Sequence, residues 1–81
     1  MRYFNSSWQE VDELPDDAVL LVRSVGLKHV DMTNEALMKH TISYFTAAVR
    51  KDDVGFYVQK ERRDEVERLV KEYFSQRQNH S

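Results

Sequence analysis

The chain has 81 residues, 41% of them hydrophobic, with two glycines, one proline, no cysteine and a formal net charge of −2. That length allows one domain, which buries only roughly 60% of the surface its unfolded form exposes. The lack of cysteine excludes a disulfide framework and a thiolate metal site. No run approaches the ~20 apolar residues of a membrane span, and no apolar stretch follows Arg2 as in a secretory leader, so the sequence predicts a cytoplasmic globular protein, neither exported nor embedded.

In chain order, Ser7-Trp8-Gln9-Glu10 matches the capping box S-x-x-E, and Trp8, Val11 and Leu14 share one helical face. This predicts a short N-terminal helix, with Tyr3 and Phe4 before it as an edge strand or as packing over the sheet. Residues 18–25 form a continuous apolar run opened by Pro15-Asp16-Asp17 and closed before Gly26. The run predicts a strand in mid-sheet, buried on both faces. His29-Val30-Asp31 reads as exposed loop, and Asp31 or Thr33 as the cap of a helix entering Asn34-Glu35-Ala36-Leu37-Met38. Met38, Ile42, Phe45 and Val49 keep helical spacing, so this helix can run on to Val49, or Thr46 to Arg50 can be a strand. The strand is preferred: with a turn at Lys51-Asp52-Asp53 it makes a hairpin with residues 54–59, and without it a two-stranded sheet is too narrow to cover two helices.

Val54, Phe56 and Val58 alternate with Gly55, Tyr57 and Gln59, a strand with aromatics on both faces, read as sandwiched. Val66, Leu69, Val70, Tyr73 and Phe74 fall at i, i+3, i+4, i+7 and i+8 of an amphipathic helix. Its charged face pairs Arg63 with Glu67, Asp64 with Arg68 and Glu67 with Lys71, each adding about 0.2–0.5 kcal/mol. The expected fold is a two-layer α+β domain over residues 1–76, of order β-α-β-β-α after the short N-terminal helix, with a disordered polar tail at 77–81. Tyr73, Phe74, Phe45 and Phe56 are assigned to the core by periodicity, while Trp8, Tyr44 and Tyr57 are unassigned.

Several chemistries are missing. Nothing resembles the strained G-x-S-x-G turn of an activated nucleophile, and the two glycines, Gly26 and Gly55, are isolated, which excludes a glycine-rich phosphate cradle. His29, Asp31 and His40 give too few convergent donors for a metal centre. The carboxylate pairs Asp16-Asp17 and Asp52-Asp53 read as turn residues. The expectation is a protein that is not an enzyme and takes no cofactor or metal.

From residue 18 to residue 74 the order of elements resembles a ferredoxin-like domain lacking its last strand. Within that fold, Val54-Gly55-Phe56-Tyr57-Val58-Gln59-Lys60 is similar to the third strand of an RNA recognition motif in Gly55, an aromatic and Val58. The resemblance implies nucleic-acid binding on the sheet. The chain departs from that pattern where the family stacks bases on a first-strand aromatic, having Leu20 and Leu21 instead, and its polar tail supplies no fourth strand. The family is not adopted.

Charge is uneven: residues 1–17 set Arg2 against Glu10, Asp12, Glu13, Asp16 and Asp17. The leading expectation is therefore a regulatory module that binds another protein, as a monomer or weak homodimer, through a surface of Trp8, Glu10, Asp12, Glu13, Asp16 and Asp17 facing a basic partner. The alternatives are nucleic-acid binding through a basic edge of Lys28, His29, Arg50, Lys51 and Lys60, and small-molecule sensing at a dimer interface.

Overall fold

In the computed structural model, which describes residues 1–78, Tyr3 and Phe4 do lie in a strand, though inside the sheet and not at its edge, and no helix follows directly. The Asn5 side chain accepts the backbone N–H groups of Ser7 and Gln9, both at 3.0 Å, and its backbone pairs with Trp8 and Gln9. An Asx turn of this kind competes with helix nucleation for the same N–H groups. It overrides the capping box and reverses the chain with Trp8 at φ 60. The product is a hairpin of β1 (Arg2–Phe4) and β2 (Glu10–Val11).

After β3 (Ala18–Val25) come α1 (Leu27–Lys39), β4 (Phe45–Arg50), β5 (Asp53–Gln59), a single 3-10 turn at Lys60–Arg62 and α2 (Arg63–Gln78). The strands form one antiparallel sheet in the order β2-β1-β4-β5-β3. The strand over 46–50 exists, and the hairpin turns at Lys51 and Asp52.

β3 is an edge strand, not a central one. Its long apolar run has a local cause. The register against β5 slips between Leu20 and Val22, so that Leu21 and Val22 both reach the core while Leu20 stands on the opposite face. A β-bulge thus mimics, in sequence, a strand buried on both sides. β5 is likewise covered on one side only: Val54, Phe56 and Val58 are buried, whereas Gly55 and Tyr57 are half-exposed.

α1 begins at Leu27, ahead of both expected caps, Asp31 and Thr33, so His29-Val30-Asp31 is helix and not loop. Gly26, at φ 96, turns the chain out of β3, and its carbonyl accepts the Val30 N–H at 3.0 Å with no side-chain cap. A left-handed φ is open to glycine at little steric cost. At the other end Thr41 adopts φ 54, Thr41 N–H bonds the Met38 carbonyl and Ile42 N–H bonds the Leu37 carbonyl. This is a Schellman ending, and it stops the helix well short of Val49. A β-branched residue is poorly suited to that conformation. Replacing Thr41 by glycine removes about 1–2 kcal/mol of strain against about 0.4–1 kcal/mol of added chain entropy in the unfolded state. Thr41→Gly is expected to raise the melting temperature by a few degrees; a lower one would show that the threonine is not strained.

Both helices lie on one face of the sheet. Val30, Ala36 and Leu37 of α1 and Val66, Val70 and Tyr73 of α2 close over Phe56, Val54, Val58 and Leu21. Leu69 and Phe74 are half-buried at the margin of the stripe. Phe45, expected in the core, is half-buried on the helix-free face opposite Tyr57, and Tyr44 takes the buried place instead. The ion pairs Arg63–Glu67 and Lys71–Glu67 form at 3.1 and 3.2 Å. α2 continues through Gln78, into the expected tail; residues 79–81 of that tail lie outside the described residues.

Candidate functional site

The β1–β2 hairpin, the start of α1 and the end of β4 enclose a cleft of about 740 Å³. Trp8 enters it from the hairpin turn, Leu27 from the first turn of α1, and Arg50 and Lys51 from the β4–β5 turn. Trp8 is 42% exposed and Leu27 59%, high values for side chains of their size. Phe4 supports the indole, with ring centroids 5.9 Å apart.

Beneath the cleft Tyr44 is buried, its hydroxyl donating to Asn34 Oδ1 of α1. Burial pushes this phenol up from its ordinary pKa, and a hydrogen bond from the Trp8 indole works the other way. Trp8 is thus backed by Phe4 and open over much of its surface, an arrangement that makes tryptophan an efficient contact residue.

The electrostatics of the cleft are one-signed. Arg2, Arg50 and Lys51 line it and no carboxylate does. Arg2 is already bound to Glu10, Nε to Oε2 at 3.1 Å, which raises the guanidinium pKa further. Among the described residues Arg50 and Lys51 have no ion-pair partner. The neighbouring Asp53 is taken by Arg23, in two bonds of 2.8 and 2.6 Å, and that hydrogen bonding holds the carboxyl below the usual carboxylate range.

The residues singled out from the sequence are redistributed by this geometry. Trp8 sits with the cations, not with the acidic segment. Glu10 is occupied by Arg2. Asp12, Glu13, Asp16 and Asp17 are exposed along the connection from β2 to β3, which crosses between opposite edges of the sheet. Of the basic group, Lys28, Arg50 and Lys51 stand at one end, where Gly26 N–H bonds the Asp52 carbonyl at 2.7 Å. Lys60 is at the other end, its N–H on the Asp17 carbonyl. His29 turns away to meet Phe74 edge-on at 5.4 Å.

Sequence reading missed Leu27 as a contact residue because it lies just outside the helix then expected. The apolar residue directly after Gly26 was the available signal.

No three His, Asp or Glu side chains converge as a metal site among the described residues. No helix of the described residues is long and apolar enough to cross a membrane.

No protein-family profile, curated protein or solved structure matches this chain. Any functional reading therefore rests on the site itself.

Proposed function

We propose that this chain is a non-catalytic binding module of the cytoplasm that docks a partner protein at the Trp8 cleft, taking up an apolar side chain from a segment that also carries carboxylates. The observation behind this is the juxtaposition of exposed Trp8 and Leu27 with Arg50 and Lys51, cations that have no ion-pair partner among the described residues. Trp and Arg, with Tyr, are the side chains that most often dominate binding energy, and they do so where the partner desolvates them fully. The cations contribute chiefly to association rate and to rejection of basic segments. The partner preferred here is thus acidic, the reverse of the basic partner that the acidic N-terminal segment suggests. For the scaffold we adopt the ferredoxin-like reading, with β3-α1-β4-β5-α2 as a domain lacking its last strand; in its favour, β3 and β4 run parallel with β5 between them. The β1–β2 hairpin then extends the β4 side, and it is this addition that builds the cleft.

Trp8 is the chain's single tryptophan, so tryptophan emission, excited selectively over tyrosine, reports on this cleft. Titration with a peptide bearing a Leu or Phe flanked by Glu is expected to shift the emission to the blue and to saturate. Trp8→Ala should weaken binding at least tenfold, about 1.4 kcal/mol or more, as followed by calorimetry. Charge reversal of Arg50 and Lys51 should slow association. Equal affinity for a peptide with Lys in place of Glu would sink the proposal. Binding of an oligonucleotide that falls steeply with salt would instead mark phosphate recognition, a reading that the distance of Lys60 from Arg50 and Lys51 disfavours.

A further inference from the structure

The sheet face opposite the helices carries a second surface. Cross-strand partners share a face, so the register places Val11, Tyr3, Ala47, Gly55 and Arg23 in one row across all five strands. Beside it run Phe45, Tyr57 and Leu20. No helix covers these residues among those described. Ala47 and Gly55, the two smallest side chains of the row, floor a hollow of about 220 Å³ walled by Leu20, Tyr57, Val49 and Met1. Three of these walls are apolar and open to solvent: Leu20 is 45% exposed, Val49 53% and Met1 76%. This is a different surface from the helix-side cleft that holds Trp8, although Met1 and Val49 border both.

We infer that this face is a homodimer interface, its occupant a second copy of the chain packed sheet to sheet. The row itself argues for a copy. Ala47 lies at its centre, on β4, the middle strand of the sheet. A two-fold axis through Ala47 and along the strands lays β1 of the second copy over β5 and its β2 over β3. Tyr3 of the second copy then meets Gly55 and enters the hollow floored by Ala47 and Gly55, and symmetry makes that contact twice.

Charge agrees with the same axis. Arg23 stands at the β3 edge, its side chain 63% exposed even while it holds Asp53. Asp12 and Glu13 follow directly on Val11 at the β2 edge. The axis brings each Arg23 toward Asp12 and Glu13 of the other copy. A nucleic-acid strand on this face would meet those same carboxylates.

The size suits only a weak dimer. The five strands run from two to eight residues, and at about 3.3 Å per residue and about 4.8 Å between strands they give a face of roughly 400 Å². Two such faces bury roughly 800 Å², less than the roughly 1,000 Å² that a stable specific interface clears. Edge pairing through β3 is the competing geometry, and that edge is guarded: Arg63 Nε donates to the Leu20 carbonyl at 3.2 Å, and the Leu20/Val22 bulge breaks the flat ladder that a second strand needs.

Sedimentation velocity on the full chain, from about 10 μM to 1 mM, tests this. The parent is expected to shift from monomer to dimer mass within that range. Leu20→Lys, an exposed substitution whose retained fold is checked by circular dichroism, should weaken association at least about tenfold because each dimer places two lysines at the seam. Trp8→Ala should leave association unchanged, which separates this interface from the partner cleft. A parent that stays monomeric throughout, or a Leu20→Lys chain that associates as the parent does, overturns the inference. So does a dimer that tightens on Arg63→Ala, since that marks pairing through the unguarded β3 edge.

Discussion

Truncating Phe56 to alanine is expected to remove a large part of the stability of this domain. Phe56 is fully buried, lies opposite Thr46 on β4 and Val22 on β3, and packs its ring 5.8 Å from that of Tyr44. It therefore joins three strands to the layer of helices. Phe→Ala in a core costs about 3–5 kcal/mol through lost transfer energy and the cavity left behind. A folded chain of this size has a total of roughly 4–12 kcal/mol, at about 0.05–0.15 kcal/mol per residue, so the loss ranges from about a quarter of the stability to all of it. In urea the midpoint should fall sharply with little change in slope. A midpoint close to the parent's would mean that the helices do not close over β5 as described.

The position of Phe56 was legible because strand alternation is a local signal. Val54, Phe56 and Val58 announce their shared face within five residues, and Val66, Val70 and Tyr73 do so within eight on α2. The hairpin was legible for a similar reason: the Lys51-Asp52 turn and its flanking strands are contiguous. The errors share one cause as well. At Ser7-Trp8-Gln9-Glu10 a helix cap and an Asx turn compete for the same N–H groups, and Asn5, two residues before the motif, decides for the turn. At Leu20-Leu21-Val22 a bulge lets an edge strand pass for a central one. At Gly26 a backbone conformation starts a helix that has no capping side chain to announce it. The cleft was the least legible feature. Trp8 adjoins acidic residues in sequence, but β1 pairs with β4, and this long-range register brings the hairpin to Arg50 and Lys51. Charge counted along a chain says little about charge across a sheet.

The one-sided burial of β5 gives the sharpest contrast between adjacent positions. Val58 faces the helices, opposite Val19 and almost wholly buried, while its neighbour Tyr57 faces the helix-free side between Phe45 and Leu20. A carboxylate at 58 loses its hydration with no cation to receive it. The penalty for an uncompensated buried charge is about 3–5 kcal/mol, and the lost valine contacts add to it, so Val58→Asp is expected to unfold at ambient temperature. At 57 the carboxylate keeps its water. The change there costs the contact of the tyrosine ring with Gly55 and Leu20, about 1 kcal/mol, and the variant should remain folded, with a melting temperature some ~4–8 °C lower. Thermal unfolding by circular dichroism at low micromolar concentration, where self-association makes no contribution, compares the two directly. A strand enclosed on both faces would lose its fold with either substitution. Collapse of Tyr57→Asp as well as Val58→Asp would therefore show that some element covers the sheet's second face, and that face would then be closed to a second copy of the chain.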